Sequence, residues 1–525
     1  MANNSALPDS TLPYVDLLKG RVDQVRAAGV CLHITALPGD HGIGSLGEQA
    51  LKFVDSLSAM GMSVWQFLPL GPTAYADSPY QPLSIYAGNP MLIDLELLHQ
   101  DGLVTTEQLE PFTHLARSRV DFSRLIPLKK RLLDDVSIDF ASRASASLRL
   151  EWEAFLAKHE TQWLNDFASF QVLKSQHEGL PWPQWPDRFR RRTPAAMQAL
   201  QQSAAKELHS VKLSQFLFYR QWLKIREYAN SKGIAMFGDI PIYLALDSAD
   251  VWQQPELVQI DCDGKPDQVA GVPPDYFSEH GQLWGNPVYD WSYHQAQNYQ
   301  WWIERIRQQL TQVDIVRLDH FRAFESYWSI PEGAETAKEG DWMKGPGDEL
   351  FTSLKGALGQ LPLVAEDLGL ITDDVRALLS RLGFPGMQVL QFMVDQPGFD
   401  CNQILANSVC YSGTHDNDTT RGWYDERRQE EGGGDFERMV LGNIGGSADN
   451  VVDTLIRLAY DSEAQLVITP MQDVLGLGSE ARYNTPGTTQ GNWQWRMTAD
   501  ELTEPAIERM REHAIRTGRA SSQVL

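Results

Sequence analysis

The chain has 525 residues, of which 42% are apolar and 22% charged, and its formal net charge is −24. That balance describes a water-soluble globular protein, and the acidic surplus excludes the basic footprint that nucleic-acid binding requires. No run approaches the roughly 18 consecutive apolar residues of a membrane span, so no membrane association is expected.

Short apolar runs bounded by turn residues recur along the chain: Val30–Leu37, Val64–Leu70, Ile234–Tyr243, Ile315–Phe321, Leu363–Leu368, Gly386–Phe392, Val409–Thr414 and Leu466–Pro470. Each reads as a buried strand. Between the first two, Leu46, Ala50, Phe53, Val54 and Leu57 fall on one helical face, with a capping box expected at Ser45 and Glu48 and a stop at Gly61. Strand and helix alternating to eight strands predicts an α/β fold, a (β/α)8 TIM barrel with large insertions. The chain reads as one catalytic barrel over 1–525. Its expected insertions are a mainly helical one at about 72–232, a loop-rich one at 245–300, and smaller ones at about 322–360 and 417–463.

Other features read as bland. Four cysteines with no Cys-x-x-Cys pair give neither a disulfide framework nor a zinc ribbon, and Cys31 and Cys410 read as reduced, buried thiols. No metal or cofactor is expected. Asp261-Cys262-Asp263-Gly264 has its glycine too early for a calcium loop and reads as a turn. The beginning shows neither a signal-peptide core nor an Arg/Ser-rich transit pattern, so a cytoplasmic location is expected. The 16 Trp, 16 Tyr and 20 Phe matter more, because many stand in Gly- and Pro-rich stretches. Aromatic faces on loops suit the apolar C–H faces of sugar rings.

The polar residues at the carboxyl ends of the runs carry the chemistry. Asp239 follows Gly238, Arg317 and Asp319 end the fourth run, Glu366 and Asp367 the fifth, and His415, Asp416 and Asp418 the seventh. Acids at several strand ends on one rim make a catalytic mouth, since isolated charges there would only cost desolvation. Arg317 and Asp319, two apart on a strand, share a face, and the guanidinium is expected to keep Asp319 ionised. Burial and neighbouring carboxylates should raise Glu366 until it holds a proton. Two carboxyls of unlike pKa are what glycosidic-bond cleavage needs, one attacking the anomeric carbon and one protonating the leaving oxygen.

Arg317-x-Asp319-His320, Ala365-Glu366-Asp367-Leu368-Gly369 and Gly413-Thr414-His415-Asp416-Asn417-Asp418-Thr419 resemble the three catalytic motifs of amylomaltases, the 4-alpha-glucanotransferases or disproportionating enzymes related to the alpha-amylase clan. The resemblance extends through Asp77-Ser78-Pro79-Tyr80-Gln81, Ala87-Gly88-Asn89-Pro90, Leu283-Trp284-Gly285-Asn286-Pro287 and Gly491-Asn492-Trp493. It implies Asp319 as nucleophile, Glu366 as acid/base and Asp416 as transition-state stabiliser. Arg317, His320, His415 and Asp239 would line the reacting subsite, and Tyr75, Tyr80, Trp284 and Asn484 would make further glucan contacts. The implied partners are 1,4-alpha-glucans, maltooligosaccharides and glucose, and the implied reaction is transfer of a glucan segment to an acceptor 4-hydroxyl, with cyclisation when the acceptor is the chain's own end. Two alternatives are an alpha-glucan hydrolase using the same acids and a non-catalytic glucan-binding barrel. The Gly271–Trp284 segment is the candidate lid, with Gly271 and Gly281 as hinges.

Overall fold

The computed structural model describes residues 17–18, 20, 26–73, 75–274, 279–430 and 432–522. Eight parallel strands lie at the eight expected places: β1 (Ala27–Cys31), β2 (Val64–Gln66), β3 (Ala235–Ile240), β6 (Ile315–Leu318), β9 (Leu363–Ala365), β10 (Gly386–Val389), β11 (Ser408–Tyr411) and β12 (Leu466–Pro470). Their order is β10-β11-β12-β1-β2-β3-β6-β9. The ring closes where the Ala365 N–H donates to the Pro385 carbonyl at 2.9 Å, between β9 and β10.

β1 begins earlier than its apolar run indicated and ends at Cys31, while Ile34–Ala36 forms a 3-10 turn instead of strand. Ala27-Ala28-Gly29 has weak strand propensity, but tertiary packing selects it. A Cβ on Gly29 would stand 2.4 Å from the Val64 carbonyl oxygen, so only glycine lets β1 and β2 approach this closely. The helix Glu48–Ala59 buries Ala50, Phe53, Val54 and Leu57 as its periodicity requires. Its expected capping box does not form: Gly47 is the N-cap, and the Ser45 hydroxyl donates instead to Asp94 Oδ2 at 2.6 Å.

Strand alternation sorts the side chains into two apolar layers. Ala28, Val30, Trp65, Met236, Val316 and Leu363 pack outward with the helices. Ala27, Val64, Phe237, Ile315, Val364, Met387, Val409 and Leu466 form a separate cluster that fills the barrel and includes Leu17 and Leu18. On β3 and β6 the same inward phase that places Phe237 and Ile315 in this plug leads next to Asp239 and Arg317.

The stretch between β2 and β3 is mainly helical, and its long helix Ala205–Ser231 returns the chain to the barrel. Two buried glutamines on that helix pin the loop leading out of β2. Gln215 accepts from Gly88 N (2.8 Å) and donates to Gly88 O (2.9 Å), and Gln221 does the same for Asp94 at 2.7 and 3.1 Å. The 245–300 stretch, expected as loops, contains β4 (Gln268–Val272) and β5 (Gln282–Pro287). With β7 (Ser326–Pro331) and β8 (Asp341–Lys344) they form an antiparallel sheet of order β5-β4-β7-β8. Its central pairing, β4 with β7, joins segments distant in sequence, which hides the sheet from local pattern reading. Gly271 pairs with Leu283 and Trp328 inside this sheet and is no hinge, whereas Gly281 turns at φ +68°. Residues 275–278, which fall in the expected lid segment, lie outside the described residues. Asp261 makes the expected turn, its Oδ1 accepting from Asp263 N and Lys265 N. Among the described residues, no helix is long and apolar enough to cross a membrane.

The glutamine pins carry a stability prediction. Gln215→Leu leaves two buried backbone groups of Gly88 without partners and should cost on the order of 3 kcal/mol. A thermal scan should show a clear fall in Tm, whereas Lys224→Gln on the exposed face of the same helix should leave Tm near the wild-type value.

Candidate active site

Directly above the apolar plug lies a layer of charge. Asp239 on β3 and Arg317 on β6 are register partners in the parallel ladder. Arg317 Nη1 donates to Asp239 at 2.8 and 3.0 Å and to Asp319 Oδ1 at 2.9 Å. Arg317 is 3% and Asp239 2% exposed, so neither charge is compensated by bulk water. Asp319 stands one residue past the end of β6 and Glu366 one past β9, the next strand in the ring. The Glu366 carboxylate accepts from His320 N (2.8 Å) and Leu368 N (2.7 Å), which fixes its plane.

Burial raises the Asp319 carboxyl to about 8, against the pull of Arg317, with Asp239 and Glu366 pushing the same way. The expectation that Arg317 would keep Asp319 ionised is thus opposed by burial and by the neighbouring acids, which outweigh it. One cation cannot offset burial plus the neighbouring acids. Glu366 is raised as expected, by burial first, with Arg317 and its two N–H donors opposing. Both carboxyls are thus pushed toward their protonated forms, Asp319 partly by Glu366 itself.

A second group of side chains closes one side of Asp319. The Tyr80 hydroxyl donates to Asp239 Oδ2 at 2.8 Å, so its oxygen accepts from His415 Nε2, also at 2.8 Å. The two rings stack with centroids 5.2 Å apart. His415 Nε2 lies 3.3 Å from Asp416 Oδ2, and Asn484 Nδ2 donates to Asp416 Oδ1 at 2.7 Å. Burial lowers the His415 pKa, leaving a neutral ring beside these acids. On the opposite side, Trp284 on β5 meets His320 edge-on at 4.8 Å. His320 is left-handed at φ +50°, and burial lowers its pKa to about 3. Its Nε2 is buried without a protein partner, free to serve a ligand hydroxyl. The structure thus brings together Asp239, Arg317, Asp319, His320, Glu366, Tyr80, His415, Asp416, Asn484 and Trp284. Tyr75 opens a short 3-10 turn, and its side chain lies outside what is described.

Sequence reading missed several residues that hold this site. Asp473 is 1% exposed and accepts from Ser412 Oγ (2.6 Å), Thr420 Oγ1 (2.7 Å) and Thr420 N (2.8 Å). It therefore clamps both ends of the loop that presents His415 and Asp416. Asp418, already named as a strand-end acid, accepts from Ser479 Oγ at 2.6 Å, and Arg482, which was missed, donates from Nη2 to the Asp416 carbonyl at 3.3 Å. His33, neutral by burial, stands two residues past the end of β1. Asp473 and His33 follow the eighth and first strands, so the strand-end rule that found the other acids would have found them too.

With this geometry described, likeness to known proteins can be stated. A family model described as 4-alpha-glucanotransferase matches residues 32–503. A 4-alpha-glucanotransferase of Synechocystis sp. is 44% identical over 486 residues, 91% of this chain and 95% of its own length. That of Thermus thermophilus is 44% identical over 504 residues, 94% of this chain and 99% of its own. The solved amylomaltase from Streptococcus agalactiae, in complex with acarbose, superposes with a TM-score of 0.90 at 36% identity, covering 94% of this chain and 100% of that one. Matched over nearly its whole length in sequence and in fold, the chain belongs to the 4-alpha-glucanotransferase family.

Proposed function

We propose that this enzyme moves 1,4-alpha-glucan segments by a retaining double displacement in which Asp319 is the nucleophile, Glu366 the acid/base and Asp416 the transition-state stabiliser. The observation that carries the reading is the Asp239–Arg317–Asp319 chain with Glu366 just past the end of the adjacent strand. The Asp319 carboxylate attacks the anomeric carbon as Glu366 gives its proton to the leaving glycosidic oxygen, which departs as a new chain end. A glycosyl ester on Asp319 remains. Glu366, now ionised, takes the proton from an acceptor 4-hydroxyl, which attacks the same carbon and releases Asp319. Positive charge developing on the sugar ring is met by Asp416 and by the surplus of carboxylates over cations in the layer. Asp239, Tyr80, Arg317 and the neutral rings of His320 and His415 offer donors and acceptors to ring hydroxyls, with Asn484 holding Asp416 in place. Tyr75 is proposed as a further sugar contact.

Glucose and maltooligosaccharides are the proposed acceptors and 1,4-alpha-glucans the donors. The hydrolase alternative uses the same acids and differs only in whether water or sugar reaches the ester first. Family membership favours sugar. Four free cysteines suit a reducing compartment, and we assign the cytoplasm.

Asp319→Asn should abolish conversion of maltotriose into glucose and longer oligosaccharides, because an amide cannot form the ester. Thermal scans should separate this from unfolding. A carboxyl raised from 3.8 to about 8 makes the folded state lose stability as pH rises through that interval. The amide never ionises, so at pH 8 the variant should melt no lower than the wild type.

The pH profile of kcat/KM should be bell-shaped. Below the pair's first macroscopic pKa both carboxyls are protonated and there is no nucleophile; above the second both are ionised and there is no acid. Burial raises both groups, so the acidic limb should lie above the ordinary 3.8 and 4.5, and activity should persist to neutral pH.

Trp284 is proposed to hold the acceptor and shield the ester. Trp284→Ala should raise the ratio of hydrolysis to transfer about fivefold, the equivalent of a stacking contact of ~1 kcal/mol. Product analysis by chromatography measures it, and equal slowing of both reactions would assign Trp284 to donor binding.

A further inference from the structure

Trp342 is an aromatic side chain held rigidly yet left open. It lies on β8, the edge strand of the four-stranded sheet, and is 41% exposed. Its register partner Trp328 packs against it edge-on at 5.0 Å, and the Trp328 indole N–H is tied to the Ala337 carbonyl at 2.8 Å. Against the Trp342 ring lies the Arg322 guanidinium, 3.8 Å from the centroid. Arg322 is 4% exposed, follows Asp319 by three residues, and donates to Ser326 Oγ at 3.2 Å and to the Leu370 carbonyl. Leu370 follows Glu366 by four residues and is itself 54% exposed. One guanidinium thus joins the segment after the nucleophile, the segment after the acid/base, and the exposed indole.

The side of the site is set by the proton donor. Tyr80, Asp239 and His415 crowd one side of the charge layer and so hold the attacked sugar. The leaving oxygen must face Glu366, whose carboxylate is bound by the His320 N–H, and His320 leads on to Trp284 and Arg322. On that reading the departing fragment and the incoming acceptor lie on the side of Glu366, His320 and Trp284, where Arg322 ties Trp342 to the segment after Glu366. Core packing does not need an indole exposed on an edge strand, whereas a sugar face stacks well on one.

We propose that Trp342, braced by Arg322 and Trp328, is an outer stacking platform for the distal sugars of the leaving and accepting glucan chain. The inference rests on the roles assigned above to Asp319 and Glu366.

The test uses the full chain and two readouts. In the Asp319→Asn background, Trp342→Ala should weaken maltoheptaose binding about fivefold by calorimetry, and Trp342→Tyr should restore most of it. In the active enzyme, Trp342→Ala should raise KM for maltoheptaose as acceptor by a similar factor while transfer to glucose stays near wild type. Unchanged maltoheptaose binding would overturn the proposal. So would an equal loss with glucose and maltoheptaose, which would make Trp342 only a brace for Arg322. Absence of any transfer by the wild type would instead overturn the function assigned above, and the binding measurement would still report on Trp342.

Discussion

A single buried cation organises this protein's centre. Arg317 is almost without solvent and bonds two carboxylates, one in the next strand and one two residues along its own. Removing the guanidinium would leave its carboxylates uncompensated in a poorly hydrated place, which is strongly destabilising. The pairing is possible only because the parallel register sets Asp239 opposite Arg317, directly above the apolar plug. Barrel geometry and site electrostatics are thus one constraint seen at two levels.

The upward shift of both carboxyls follows from that constraint. Several acids share one guanidinium, so the cluster cannot be fully ionised at neutral pH without large repulsion. In the proposed reaction, a sugar that brings hydroxyls and then positive charge would find an environment already short of cations, with little reorganisation left to be done. The acids differ in how they are held. Glu366 is fixed by two backbone N–H groups, whereas Asp416 rides on a loop whose ends are clamped by Asp473.

The two sides of the mouth have different origins. The polar side comes from β3, β11 and the segments after β2 and β12, anchored through Tyr80, His415 and Asn484. The aromatic side comes from a small antiparallel sheet that the barrel inserts between its own strands, carrying Trp284 on β5 and Trp342 on β8. Arg322 bonds this second sheet to the chain that follows Glu366, which ties the aromatic side to the segment carrying that carboxylate.

The order of apolar runs and the acids at their ends determined the barrel, the position of Asp319 and Glu366 at one mouth, and the shared face of Arg317 and Asp319. Those properties depend on strand alternation and on short-range pattern, both legible along a chain. Where β1 starts was not legible, because Ala27-Ala28-Gly29 becomes strand only through its close fit to Val64 and Ile468. The Ser45 cap failed because Asp94, 49 residues away, competes for the hydroxyl. The pairing of β4 with β7 and the upward shift of the Asp319 carboxyl were decided by tertiary structure alone, since those ladder partners and the buried neighbouring charges are set by contacts distant in sequence.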